Sequence, residues 1–92
     1  MVASGQSRIG LTVLLAEDNE INAIVATETL TTLGCVVVQA WDGQEAVDKA
    51  DTDDFDLILL DIHMPVNSGI EVCQIIRSGQ KNSSTVIGAL TA

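Results

Sequence analysis

Four apolar residues, Leu57 to Leu60, form an unbroken run that ends on Asp61, and Met64-Pro65 breaks the chain shortly after. A run this short and this apolar reads as a strand buried on both faces of a parallel sheet. An ionisable group at the carboxyl end of such a strand stands where open α/β sheets place their ligands. Two roles are open to Asp61 on these grounds. It is either a functional carboxylate or an aspartate that caps a helix or closes a turn.

The rest of the chain repeats the same unit. Leu11 to Ala16 is an apolar stretch that ends in Glu17-Asp18-Asn19. The spacing predicts a helix from about Glu20 to Leu33, capped by Asp18 or Asn19 and stopped by Gly34. Its apolar face is expected to comprise Ala23, Ala26, Leu30 and Leu33. Cys35 to Ala40 is a second strand, rich in valine. Asp42-Gly43 is a turn, and a second helix runs from Gln44 to about Ala50. Asp51 to Asp54 reads as a solvated loop, and Phe55 leads into the third strand. Val66 to Gly69 is a loop in which Ser68 can cap a third helix with a buried stripe of Ile70, Cys73 and Ile76. Ser78 to Ser84 looks polar and mobile, and Thr85 to Leu90 is a fourth strand. Strands alternating with helices at this spacing imply right-handed crossovers and a parallel sheet covered on both faces.

Charge and size narrow the function. The 92 residues make one domain at most, and residues 1–10 read as a flexible leader or linker. Thirteen acids against four bases leave a net charge of −9. That disfavours direct contact with nucleic acid or anionic membranes and suits a metal cation or a basic protein surface. No apolar run approaches the roughly 20 residues of a membrane span. Cys35 and Cys73 follow no metal-ligand spacing and lie in apolar surroundings, as buried free thiols of a reducing, cytoplasmic compartment would. With only Trp41 and Phe55 as aromatics the core must be aliphatic, and Trp41 is read as a packing residue.

In a parallel sheet all carboxyl ends share one edge, so Glu17, Asp18 and Asp61 are expected on one rim, with Thr91 at the end of the fourth strand. Neighbouring carboxylates repel and raise one another's pKa values. A hard divalent cation relieves this, and magnesium fits because it takes one or two carboxylates, keeps water and leaves room for a phosphate oxygen. The alternative is that Glu17 and Asp18 merely favour the positive end of the first helix.

Leu14-Leu15-Ala16-Glu17-Asp18-Asn19, Asp61-Ile62-His63-Met64-Pro65 and Leu90-Thr91-Ala92 together resemble the receiver domain of two-component response regulators. The run Glu17 to Asn22 is most similar to receivers of hybrid sensor histidine kinases. The resemblance covers residues 11–92. It implies a flavodoxin-like (CheY-like) doubly wound α/β fold with strand order 2-1-3-4, incomplete after the fourth strand. It further implies that Asp61 accepts a phosphoryl group from a phosphohistidine. Asp18 and Asp61 would ligate magnesium, Glu17 would hold metal-bound water, and His63 would contribute its backbone carbonyl. Thr91 would hydrogen-bond a phosphoryl oxygen and the small Ala92 would leave room for it. Asn67-Ser68 stands where the family often carries Met-Asp, in a loop that tunes phosphoryl lifetime. The family continues with a further helix, a fifth strand ending in an essential lysine and a last helix. This stretch of sequence contains none of them, and neither Lys49 nor Lys81 lies at a strand end.

The implied partners are a histidine kinase or a histidine phosphotransfer domain, and the exposed edge of the fourth strand is open to self-association. A second function class is a receiver-like module that binds proteins without being phosphorylated. A stand-alone phosphatase or phosphotransferase would need a second catalytic group, and the chain offers none.

Overall fold

The computed structural model describes residues 10–64 and 68–90. Its elements are β1 (Thr12–Ala16), α1 (Glu20–Thr32), β2 (Val36–Ala40), α2 (Gly43–Thr52), β3 (Leu57–Asp61), α3 (Gly69–Ser78) and β4 (Val86–Leu90). The four strands form one parallel sheet in the order β2-β1-β3-β4, as the sequence predicts. Ala16 stands opposite Ala40 on one side and Leu60 on the other, so β1 and β3 end level.

The chain steps from β1 to β2 in one direction and from β2 to β3 to β4 in the other. Right-handed crossovers therefore put α1 on one face of the sheet and α2 and α3 on the opposite face. Leu14, Ala16, Ile58 and Leu60 pack on the second face against Ala46 and Ala50 of α2 and Val72 and Ile76 of α3. Val13 and Leu15 alternate with them, point toward α1, and are fully buried. Phe55 and Met64 close the two ends of the core.

The helix ends follow from their sequences. Asn19 caps α1, its side chain accepting from the Asn22 N–H at 3.0 Å. Gly34 takes φ +94° just past the last turn. The Gly34 and Cys35 N–H groups then satisfy the carbonyls of Thr31 and Leu30, a closing motif that a residue with a Cβ resists. Asp42 caps α2, and Ser68 forms a reciprocal capping box with Glu71 at α3.

The structure corrects the sequence reading in several places, leaving Trp41 exposed and Cys35 and Cys73 only half-buried where a packing residue and buried thiols are expected. First, α2 continues through Asp51 and Thr52, where a loop is expected. Second, the inward side of α3 is Gly69, Val72, Cys73 and Ile76, while Ile70 is 62% exposed. Third, Leu33 is exposed, and so is a separate outward stripe of Ile21, Ile24 and Val25 on α1. Fourth, the segment 78–84 is pinned rather than loose. Asn82, in the left-handed region at φ +63°, is buried and donates to the carbonyls of Ala50 and Asp53 at 2.7 and 2.8 Å. Its carboxamide oxygen accepts from the Phe55 N–H at 2.8 Å. Asparagine tolerates that backbone conformation better than other side chains do, so one residue serves both the turn and the bonds.

Candidate functional site

Glu17 extends β1 by one residue, its N–H donating to the Ala40 carbonyl at 3.1 Å. Asp61 ends β3 beside it, half-buried. The position between β1 and β3 is where the strand order reverses, the crevice in which doubly wound sheets bind ligands. Here Glu17, Asp18 and Asp61 each offer a carboxylate oxygen, and the three atoms lie within 4.8 Å of one another. The sequence-level expectation that these acids share a rim is met.

Capping of α1 belongs to Asn19, so neither Glu17 nor Asp18 serves as the cap. Glu17 is only 3% exposed, with one oxygen accepting from the Asn19 N–H at 3.1 Å. A carboxylate buried that deeply is costly unless paired or bound to a cation. Asp61 does take part in a local turn, accepting from the His63 N–H at 3.0 Å, but the helix that follows is capped by Ser68. The His63 side chain is exposed.

The two acids titrate in opposite directions. Burial pushes the Glu17 carboxyl above its ordinary value. The Asn19 N–H opposes this, while the nearby Asp61 and Asp18 carboxylates add to it. Burial would push Asp61 up as well. The His63 N–H and contacts with the carboxyls of Glu17 and Asp18 outweigh it, and Asp61 is held below its ordinary value. The expectation that the acids all raise one another therefore holds for Glu17 and not for Asp61. The backbone donor at His63 and a protonated neighbour that can share its hydrogen both favour the ionised Asp61.

The charge distribution is one-sided. Helices in βαβ units run opposite to the strands, so their last turns lie at the amino edge of the sheet. Lys49 and Arg77 occupy the last turns of α2 and α3. Lys81 stands 3.8 Å from Asp54, ahead of β3. Among the described residues every lysine and arginine is thus at the edge far from the acid cluster.

Two contributors to the site escape a reading of motifs. Gly69 donates its N–H to the Ile62 carbonyl at 3.2 Å and packs directly on the backbone of Asp61 and Ile62. Gln39 donates from Nε2 to the Glu17 carbonyl at 3.1 Å, bracing the β1 terminus from β2. Only the position of Gly69 at the end of a strand-to-helix loop hinted at its role. Thr91, Ala92, Pro65 and Asn67 lie outside the described residues. Among the described residues no helix is long and apolar enough to cross a membrane.

Known proteins share this architecture. Residues 13–92 match the family described as the response regulator receiver domain. The chain is 40% identical over 86 residues to hybrid signal transduction histidine kinase G of Dictyostelium discoideum, covering 89% of this chain and 2% of that protein. It is 35% identical over 82 residues to the sensor protein EvgS of Escherichia coli, covering 89% of this chain and 7% of that protein. The chain thus spans a small part of the length of these relatives. The receiver domain of sensor histidine kinase PA1611 from Pseudomonas aeruginosa superposes with a TM-score of 0.87 at 37% identity, covering 90% of this chain and 68% of that one. That structure has a magnesium ion coordinated in its active-site cleft. With the parallel 2-1-3-4 sheet and the acid cluster at its switch point, the match over residues 13–92 establishes that the chain belongs to the response regulator receiver domain family of two-component signalling.

Proposed function

We propose that this receiver domain takes a phosphoryl group from a phosphohistidine onto the Asp61 carboxylate, with magnesium held by Glu17, Asp18 and Asp61. The observation that carries the reading is the convergence of three carboxylate oxygens within 4.8 Å at the sheet's switch point. The donor set suits the metal: all ligands are hard oxygens, and the exposed Asp18 leaves the cluster open to solvent on one side. Magnesium in the PA1611 receiver supports the same assignment. When bound, the ion supplies the positive charge that offsets the phosphoryl oxygens.

The chain's own residues do the rest. Asp61, held below its ordinary pKa, stays ionised, as a nucleophile must. One of its oxygens bonds to phosphorus as the bond from phosphorus to the donor's imidazole nitrogen breaks. The electron pair of that bond leaves with the imidazole, which takes a proton from solvent. By the family resemblance, Glu17, Asp18 and the His63 backbone carbonyl would hold the metal, and the hydroxyl of Thr91, which lies outside the described residues, would donate to a phosphoryl oxygen. The donor is a histidine kinase or a histidine phosphotransfer domain. Free Cys35 and Cys73 suit a reducing, cytoplasmic setting.

The test is incorporation of phosphate from phosphoramidate into the full-length protein that carries this domain, with magnesium or with EDTA. Magnesium-dependent labelling is expected, lost in Asp61→Asn. Equal labelling of Asp61→Asn would refute the assignment. No labelling at all would favour a module that binds partners without being phosphorylated.

A further inference from the structure

The one polar residue of β2 is Gln39. It stands in register with Leu15, which points toward α1, so Gln39 is on that face too. Its side chain is half-buried beside Ala23 and Ile24 of α1. A polar amide in such a place is costly unless its hydrogen bonds are made. Here one nitrogen, Nε2, donates to two carbonyls, that of Glu17 at 3.1 Å and that of Ala40 at 2.9 Å. A carboxamide nitrogen carries two hydrogens, so each carbonyl receives one.

These bonds fall where the pairing of β1 with β2 runs out. The Glu17 N–H donates to the Ala40 carbonyl at 3.1 Å. Beyond that point one strand leaves for the cap of α1 and the other for the cap of α2. Gln39 gives the Ala40 carbonyl a second donor, which its two lone pairs accommodate, and reaches across to the carbonyl of Glu17. That carbonyl belongs to the peptide joining Glu17 to Asp18. The peptide is planar, so the direction of its carbonyl fixes the path of the chain into Asp18.

Asp18 depends on that restraint. It is exposed, so packing does not hold it. On its far side the Asn19 N–H donates to Glu17 Oε2 at 3.1 Å, but that oxygen belongs to the acid cluster itself. The Gln39 bond restrains Asp18 without using any carboxylate of the cluster.

We infer that Gln39 is a positioning residue for the metal site. Its amide, on the neighbouring strand, holds the Glu17–Asp18 peptide in the orientation that keeps the Asp18 carboxylate within the 4.8 Å cluster. This rests on the function proposed above. Gln39 touches neither the metal nor the phosphoryl group and acts through Glu17 and Asp18. Without it, binding of the ion must itself order Asp18, and affinity falls accordingly.

The experiment titrates magnesium calorimetrically into the full-length protein and its Gln39→Met and Gln39→Asn variants, with Asp18→Ala as the background. Gln39→Met keeps the length of the side chain and removes the donors. It is expected to raise the Kd for magnesium about tenfold. Gln39→Asn keeps the amide but ends one methylene short, and is expected to fall between Gln39→Met and the parent. Labelling by phosphoramidate, followed against magnesium concentration, gives the second readout. The half-saturating concentration is expected to rise by the same factor as the Kd, while the rate at saturating magnesium stays at the parent's. A residue that only stabilised the fold would not produce that split. Parent affinity in both variants would overturn the inference. So would a lowered saturating rate with unchanged half-saturation. If Gln39→Met does not fold, Gln39→Asn decides, and parent affinity in it overturns the inference. Failure of the proposed metal site appears separately, as parent binding no stronger than that of Asp18→Ala, and it takes this inference with it.

Discussion

Gly69 sits so close to Asp61 that a Cβ at position 69 would stand 2.6 Å from the Asp61 carbonyl oxygen. The same atom would meet the Ile62 Cα at 3.1 Å. Both obstacles are backbone, so they cannot swing aside as a flexible side chain could. The start of α3 is thereby seated directly on the end of β3, and the seat exists only because residue 69 has no side chain.

Gly69→Ala is therefore expected to displace the Asp61–Ile62 backbone or the first turn of α3. Overpacking of this kind costs about 1–3 kcal/mol. Thermal unfolding should show the loss. Phosphate incorporation from phosphoramidate should fall further than the melting temperature alone implies, because the displaced atoms carry Asp61, the proposed phosphoacceptor. An alanine variant that melts and labels like the parent would show that the seat is more yielding than its geometry indicates.

The acid cluster makes the metal-free domain pH-sensitive in a defined sense. Glu17 has a folded-state pKa above its ordinary value of 4.5. Its contribution to stability is complete below that ordinary value and is lost as the pH rises through the raised one. Asp61 has the opposite sign: its contribution is present above its ordinary value of 3.8 and is lost as the pH falls through the lowered one. Glu17→Gln, which keeps the shape and removes the charge, is expected to stabilise the metal-free domain at pH 7. The advantage should shrink as the pH falls into the range where Glu17 itself is protonated. Denaturant titrations of both proteins across pH 4 to 8 in EDTA check this. A variant no more stable than the parent at neutral pH would mean that Glu17 ionises there at no cost.

Magnesium should reverse that order. A ligand at 100 times its Kd stabilises the folded state by about 2.7 kcal/mol. The parent is expected to gain melting temperature with magnesium, whereas Asp18→Ala and Asp61→Ala gain little. Calorimetric titration should show the same loss of affinity. Unchanged affinity in both variants would remove the cluster as the metal site.

Asn82 tests the far end of the fold. It is buried, donates to Ala50 and Asp53, accepts from Phe55, and holds φ at +63°. Asn82→Ala leaves buried backbone groups unpaired and puts a Cβ residue without a local hydrogen bond into the left-handed region. A loss of about 2–4 kcal/mol is expected. Asn82→Gly relieves the backbone part, so it should lose less. Chemical denaturation of the two variants separates the contributions, and equal losses would assign the whole effect to the missing carboxamide.

Much of this protein was legible from sequence because the determining forces are local or periodic. Apolar runs of four to six residues between helical patterns imply a parallel α/β sheet, and its handedness then puts every strand's carboxyl end on one rim. Glu17, Asp18 and Asp61 could be brought together on that basis without any coordinates, and Ser68 and Gly34 announced the ends of their helices through capping chemistry. What the tertiary structure alone decided was which neighbour each side chain met. Apolarity cannot say that Trp41 and Ile70 remain outside while Val72 goes in, since that depends on where the next element lies. Polarity suggested a loose segment at 78–84, but Asn82 is buried because the Ala50 and Asp53 carbonyls and the Phe55 N–H converge there from residues up to 32 positions away. The same holds within the acid cluster. Three like charges in sequence suggest only mutual repulsion, and it takes the His63 N–H at 3.0 Å and the burial of Glu17 to send their proton affinities in opposite directions.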